Sequence, residues 1–453
     1  MLADALSERM NVTMIEFPAG TSLGSHIEDI GYPANLSPHI GSGLGGSTQY
    51  WHNGLIEIED SVFKSKWPYS KLTLESYYEQ AYKKLSNISR ARIKDVFSTL
   101  RSKFLDQGVS LSLLRQLLFY PSLRRNVWDS LHLQDRVKLV RAEVVGFIVD
   151  SDSRIEALEI MVDGQKALIK ADIYVMAAGG LGTPILLQEL AKQITSPSLK
   201  MAGQYYEDHP TGFVAEVKTV RPFYKLWNYK SSNIKGSFRI PMVLEEGGLQ
   251  VSFQLRPAYQ AMTGIVYKSI LNDLRNSPFK LTNYLKLIFY LDDFVEIISF
   301  KLGINLPTKN FSVLMVAEQL ASAEKSIWRN YSNEPIIRKW TLSTEYLQLL
   351  EGVINKFFLS MNESITTKRI LPEWKNNLSS SAHHSGTARM HLDPNLGVCD
   401  ADGRVYGVDN LYICDGSAIP ASGAANTGLT IAALAIKLGD YLIRSEYNYK
   451  KAS

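Results

Sequence analysis

Close to its C-terminal end the chain reads SAHHSGTARMHLDPNLGVCDADGRVYGVDNLYICDGSAIPASGAANTGLTIAALA, where most of its candidate chemistry is concentrated. His383 and His384 stand side by side, and Asp415 precedes Gly416. Asn426 and Thr427 come just before a run of small and branched apolar residues that reads as a helix. A histidine, with an unperturbed pKa of about 6.5, is neutral near pH 7 and still able to take a proton. An asparagine amide donates to an oxygen without competing for that proton. The two together suit the removal of a proton from a hydroxyl group. Each residue also has a plainer reading: a histidine capping a turn, a helix N-cap at Asn426, a turn after the strand NLYICD.

Three other stretches would have to position these groups. In ADIYVMAAGGLGTPILLQEL an apolar strand meets a turn of small residues and then an amphipathic helix. Its end, Ala177 to Gly180, leaves the C-terminal edge of the strand open to a flat ligand, where ligands bind on doubly wound sheets. The alternative is a close helix–strand crossing. Pro184 is expected in the first turn of that helix. In HIGSGLGGSTQYWHNG, Gly41, Gly43 and Gly46 satisfy GxGxxG, but ANLSPHI precedes them where a dinucleotide turn needs a buried strand. Gly45, Gly46 and Ser47 still allow backbone N–H groups to approach an anion or a ring edge; otherwise they form a flexible turn. At the front, Leu2, Leu6 and Met10 share a helical face, and Val12 to Phe17 reads as a strand ending at an acid, Glu16. That is the middle of a nucleotide-binding βαβ unit, whose glycine turn should lie roughly 20 residues ahead of the acid. Counting back from Glu16 runs off the front of the chain.

The 453 residues suffice for two or three domains, and 45% hydrophobic with 21% charged residues is a globular composition. A net charge of +4 with scattered Lys and Arg argues against a nucleic-acid partner. Cys399 and Cys414 are the only cysteines, too few for a disulfide framework or a CxxC metal site. A reducing, cytoplasmic setting fits them, and no metal is expected. No uncharged apolar run reaches the roughly 18 residues of a membrane span. NYLKLIFYLDDFVEIISFKL comes nearest and reads as an amphipathic helix packed in a second domain, with peripheral membrane or partner contact as the alternative. Alternating patterns in VKLVRAEVVGFIVDS and RIEALEIMV predict half-buried strands about a turn at Asp150–Ser153. Mixed helical spacing predicts helices in SYYEQAYKKLSNISRARIKDVFSTL, whereas TGFVAEVKTV and LQVSFQLRPA look β-rich.

The spacing of H-x-x-G-T-x-R-M from His383 to Met390, Asp415–Gly416 and Asn426–Thr427 resembles the C-terminal signature of the glucose–methanol–choline (GMC) family of flavoprotein oxidoreductases. AAGGLGTPILL is similar to the family's second signature, and YYEDHP at Tyr205–Pro210 to the turn that leaves its flavin domain. VAEQLASAEKSI around Glu318 also resembles a family segment. The resemblance implies an α/β fold: a discontinuous, Rossmann-like FAD-binding domain (1–60, 130–210 and 380–453) and an α+β substrate domain with an antiparallel sheet (211–379). A helical insertion would occupy 61–129. It further implies that FAD is held by Glu16 at the ribose, by Gly45, Gly46, Ser47 and Thr48 around the ring and pyrophosphate, and by the backbone of Val145 at the adenine. Ala178, Gly179, Asp415, Gly416, Asn426 and Thr427 would complete that set. In this reading His383 is the base, Asn426 its partner at the substrate hydroxyl, and His384 a structural neighbour. A hydride passes from an alcohol carbon to the flavin. The last helix, aimed at the flavin's N1–O2 edge, would stabilise the reduced ring.

The chain departs from the family pattern in two places. The first strand and its GxGxxG are absent, which makes Met1 an expected internal methionine of a longer protein. Trp51 stands where common members have asparagine, as in sugar-oxidising members, some of which attach flavin through a histidine just before it. Here that position is Tyr50, with His52 on the other side, so non-covalent FAD is expected. The Trp51 neighbourhood favours a sugar or polyol substrate; a sterol or other hydrophobic alcohol is the alternative. Phe223, Tyr224, Trp227 and Tyr229 are candidates for stacking on a sugar, or ordinary core aromatics. The electron acceptor is left open between oxygen, a quinone and another protein. A non-catalytic scaffold that keeps the family's shape as a binding module is the rival reading.

Overall fold

A computed structural model describes residues 1–17, 27–31, 45–49, 51–122, 136–221, 226–257, 272–278, 280–289, 309–330 and 334–452. Gly41, Gly43, Tyr50, Phe223, Tyr224 and the second half of the NYLKLIFYLDDFVEIISFKL helix lie outside the described residues. Parallel strands form one part of the molecule. Val12–Glu16 pairs with Val137–Arg141, and Tyr174–Met176 pairs with Leu411–Ile413. Each pair is its own two-stranded sheet among the described residues. An antiparallel meander of Glu143–Val149, Ile155–Val162 and Gln165–Ile169 is inserted between them. Its first turn closes on Asp150, whose Oδ1 accepts N–H bonds of 2.8 Å from both Asp152 and Arg154.

The other part is built on an antiparallel sheet in the order Met242–Glu246, Leu249–Pro257, Asn310–Ala317, Pro210–Thr219, Ile365–Ile370. Ser379–Ser380 also joins Pro210–Thr219. Val251, Phe253, Phe311, Val313 and Met315 are fully buried in this sheet, and the helix Thr344–Ser360 lays Phe357 on Phe253 with ring centres 4.2 Å apart. The mixed α/β architecture with a separate antiparallel sheet agrees with the expected fold class. The helices Glu75–Ser86 and Arg90–Leu105 appear where helical spacing places them. The first of these meets the C-terminal helix Gly428–Ala452 through a Tyr78–Thr430 hydroxyl pair at 2.9 Å. Arg90 anchors both helices to the residues after Trp51, donating to Glu57 at 2.5 and 2.7 Å and to Glu75 at 3.0 Å.

One local expectation changes. Pro184 is not in the first turn: the helix runs from Gly179 to Leu190, which puts the proline in its second turn. The reason is useful. Proline has no N–H to give the carbonyl four residues back, which is that of Gly180. That carbonyl accepts the Thr387 hydroxyl at 2.8 Å instead. A helix interruption thus becomes an attachment point for a segment 207 residues away.

Thr387→Val keeps the side chain's shape and leaves the Gly180 carbonyl unsatisfied. The denaturant midpoint should fall by the equivalent of about 1–3 kcal/mol. An unchanged midpoint would show that this bond does not hold the segment.

Candidate functional site

The site begins with a ladder between two short segments. Ser379 pairs with Thr211 and Ser380 with Pro210. Ser381 N–H then donates to the His209 carbonyl at 3.0 Å, and Glu207 and Ser385 exchange two backbone bonds of 3.0 Å. Residues 205–211 therefore lie directly alongside 379–386. Asp208, fully buried, organises the turn between these pairings. Its Oδ1 accepts the N–H groups of His209 (2.7 Å) and His383 (3.0 Å). Its Oδ2 accepts the Ser380 hydroxyl and, at 3.3 Å, that of Tyr206. Burial pushes the carboxyl up, but His384 and the Ser380 and His383 donors outweigh it and hold Asp208 below its usual range. Ser380 Oγ in turn accepts the N–H of Ala382 at 2.9 Å. Ala382 has φ +58°, a left-handed conformation for a residue with a Cβ, just before His383. Such strain costs on the order of 1–3 kcal/mol and persists where surrounding bonds over-determine it.

A second constraint comes from the backbone of His384. Its carbonyl oxygen is lodged between two glycines: a methyl group on Gly180 would fall 2.5 Å from it, and one on Gly416 would fall 2.7 Å away. Ala388 and Met390 continue the contact, donating at 2.9 Å to the carbonyls of Ser417 and Ala418. Asp415 ties the same two segments together. Its carboxylate accepts from Gly179 N–H (2.9 Å) and Thr183 hydroxyl (2.5 Å) on one oxygen. The other oxygen takes the N–H (2.8 Å) and hydroxyl (2.5 Å) of Ser417. Burial raises the Asp415 carboxyl above its usual value against the opposing pull of these donors.

The two histidines, held by these contacts, differ in their surroundings. His384 Nδ1 meets the Tyr206 hydroxyl at 2.7 Å and lies 3.5 Å from Asp208, while its Nε2 is buried with no partner among the described residues. Burial lowers it to about 4, although Asp208 pulls it up. His383 Nδ1 is 2.8 Å from Nδ1 of His209, whose Nε2 is 3.0 Å from Ser422 Oγ. Burial lowers His383 as well, with Asp208 opposing, and lowers His209 to about 3. All three rings are neutral at pH 7. A neutral imidazole with one nitrogen fixed and the other not engaged among the described residues is equipped to accept a proton.

A family description, GMC oxidoreductase, matches residues 347–435. Among curated relatives, 2-methyl-1,2-propanediol dehydrogenase from Mycolicibacterium austroafricanum is 24% identical over 306 residues, 62% of this chain and 49% of that protein. The chain thus spans about half of that relative's length. The 6'''-hydroxyparomomycin C oxidase of Streptomyces lividus is 49% identical over 57 residues, 13% of this chain and 10% of its own. Two solved structures share the fold across nearly the whole chain. Pyridoxine 4-oxidase from Mesorbium loti matches with TM-score 0.54 and 14% identity, covering 97% of this chain and 96% of that one. The formate oxidase of Aspergillus oryzae RIB40 matches with TM-score 0.55 and 12% identity, covering 99% and 96%. Residues 347–435 thus resemble the GMC oxidoreductase family, and the fold as a whole is shared with the two solved structures.

The remaining expected residues are distributed as follows. Glu16 ends its strand, its carbonyl accepting Ala142 N–H at 3.0 Å. Three residues after Ala142, Val145 is a bulge: the register steps from Val144 to Gly146, leaving Val145 exposed and outside the ladder. Gly45 and Gly46 have φ of +89° and +50° and lead into a short 3-10 turn, Gly46–Gln49, with Ser47 and Thr48 exposed. Ala178 is exposed at the N-terminus of the Gly179–Leu190 helix. Thr427 is buried directly before the C-terminal helix, and the Trp51 indole rests on Gly428, the first residue of that helix. The Asn426 amide lies beside Gly54, with Tyr120 against the same residue. Asp415–Gly416, Ala178–Gly179 and His384 are brought into one cluster. Ser422, four residues before Asn426 in the sequence, is linked to His383 through His209.

Sequence reasoning missed Asp208, His209 and Ser422 as site residues. YYEDHP read as a turn between domains, and only an acid and a histidine packed next to a strand start hinted at more.

The depressed histidines make a stability prediction. His384 stays neutral in the fold down to about 4, whereas the unfolded chain takes that proton below about 6.5. Its contribution is therefore complete above pH 6.5 and is lost as the pH falls toward 4. Glu207, pushed up to about 8 by burial and by Glu318, changes stability in the opposite sense, losing its contribution as pH rises from 4.5 to 8. That effect is common to both proteins in a comparison with His384→Asn. Melting temperature should fall less steeply between pH 6.5 and 4 in the variant, and equal slopes would mean that His384 is not held neutral.

Proposed function

We propose that the chain oxidises the CH–OH group of a small polar alcohol, a sugar or polyol, with non-covalently bound FAD as cofactor, His383 as base and Asn426 as its partner. The observation that carries this reading is His383: half-buried, neutral, anchored at Nδ1 by His209, and with Nε2 free of hydrogen bonds among the described residues. The domain division expected from the sequence is kept in this proposal. Four features fit a flavin. Exposed Ala177 and Ala178 leave the end of the strand bare, Gly179 has φ +78° with nothing within 4 Å of its Cβ position, Val145 stands out of its ladder, and a 25-residue helix starts next to Thr427. Glu16, Gly45, Gly46, Ser47 and Thr48 would hold the nucleotide side and Ala178, Gly179, Gly416 and Thr427 the ring side. Asp415, with both oxygens engaged internally, would act by fixing the helix N-terminus that faces the cofactor.

FAD, when bound, supplies the two-electron acceptor for the hydride that leaves the carbinol carbon. The chain's own share is the proton. His383 Nε2 takes it from the hydroxyl while the Asn426 amide donates to the same oxygen, and the substrate leaves as a carbonyl compound. Asp208, ionised and bonded to the His383 backbone, offsets the positive charge that the ring then carries. The polar substrate class is supported by the wall next to Asn426. Tyr120 shares the Gly54 contact, the Arg239 guanidinium lies 4.5 Å from the Tyr120 ring centre, and Arg256 donates to Gln254 at 3.0 Å. Such a surface bonds to hydroxyl groups and would desolvate poorly against a sterol.

The test uses full-length flavin-loaded protein under anaerobic conditions with a panel of sugars, polyols and sterols. Sugars or polyols should bleach the flavin, and acid precipitation should release it into solution. His383→Ala should keep the yellow colour and lose about 10²-fold or more of its reduction rate. Bleaching by sterols alone would overturn the substrate class, flavin retained in the acid pellet the non-covalent attachment, and an unchanged rate the role of His383. A folded protein that takes up no flavin would leave the scaffold reading in its place.

A further inference from the structure

We propose that His209 is a positioning residue that fixes His383 as its Nδ1–H tautomer, so that Nε2 presents a lone pair to the substrate hydroxyl. The inference rests on the reading of His383 as base. Two Nδ1 atoms 2.8 Å apart share a single hydrogen, and whichever ring owns it decides what the far side of His383 offers. If the hydrogen belongs to His209, His383 carries N–H at Nε2 and is useless as a base. If it belongs to His383, Nε2 is the acceptor.

The surroundings of His209 admit the second arrangement. Its Nε2 faces the Ser422 hydroxyl at 3.0 Å, a group that can accept as well as donate. With His383 as base, the Ser422 oxygen accepts the N–H of His209 at Nε2, His209 Nδ1 is the acceptor, and the shared hydrogen is that of His383. When His383 takes a proton at Nε2 its Nδ1–H bond to His209 is already in place, so no second proton has to move.

Other charged and titratable groups face this pair. Asp208 adjoins His209 in sequence and bonds to the His383 backbone. His384 and Tyr206 lie beyond it, followed by Arg338, which is paired with Asp29 at 2.6 Å. Asp208 favours a positive charge on His383, while burial keeps His209 from competing for it.

The test compares wild type, His209→Asn and His209→Leu as full chains. Asparagine places an amide oxygen close to where Nδ1 stands and preserves the acceptor; leucine removes it. Ring ¹⁵N spectra of histidine-labelled protein at pH 7.5, assigned with His383→Asn, should show a pyrrole-type Nδ1 and a pyridine-type Nε2 for His383 in wild type and His209→Asn. In His209→Leu the signals should move toward the other tautomer. In flavin-loaded protein the limiting reduction rate should drop about 10- to 100-fold in His209→Leu, with substrate affinity retained, and largely return in His209→Asn. A wild-type His383 protonated at Nε2, or a His209→Leu protein with unaltered ring signals, would overturn the inference. If leucine prevents folding, the wild-type and asparagine spectra decide alone. A correct tautomer combined with full activity in His383→Ala would instead overturn the assignment of the base.

Discussion

The site depends on how closely the backbone of His384 approaches two other segments. Its carbonyl lies in the space that a Cβ would take at Gly180 and at Gly416, so neither position admits a side chain without moving the histidines. Three segments that are far apart in sequence become one unit at this point: the start of the Gly179–Leu190 helix, the 384–390 segment and the turn after Ile413. Pro184 contributes by what it lacks, since its missing N–H releases the Gly180 carbonyl to Thr387. Asp415 closes the unit from the other side, with four hydrogen bonds that all return to these segments.

Within that frame, electrostatics sort the titratable groups into two kinds. Asp208 is buried and ionised because four donors converge on it. The three histidines around it, His209 buried and the other two half-buried, are neutral because none has a carboxylate bonded closely enough to outweigh desolvation. In the proposed function, a base that is neutral at rest, one carboxylate placed to offset its later charge, and a neutral ring that holds its other nitrogen form a consistent set. The same logic assigns His384 to structure: it is bound to Tyr206 and lies close to Asp208, and its second nitrogen is enclosed.

Much of this was legible in the residues. The H-x-x-G-T-x-R-M spacing, the small residues after Met176 and the Asp415–Gly416 pair each pointed to the cluster they form, and TGFVAEVKTV and LQVSFQLRPA, which look β-rich, are strands of the antiparallel sheet that the resemblance implied. What could not be read was the choice of tertiary partner. His209 meets His383 across 174 residues, and Thr183 meets Asp415 across 232. Such contacts are set by the ladder between residues 205–211 and 379–386 and by close backbone approach, neither of which leaves a local pattern. Pro184 shows the same limit: the rule that proline starts helices gave way to a position where the freed carbonyl had a use.

The proposed function stands or falls on a neutral, half-buried His383 taking the proton of the alcohol. The most direct measurement is the limiting rate of flavin reduction by a polyol substrate, followed anaerobically in the full-length protein between pH 4.5 and 8.5. Because burial lowers His383, the rate should be level above about pH 6.5 and fall only at lower pH, with a midpoint below the ordinary histidine value. A rate that is still climbing through a midpoint above that value would contradict it.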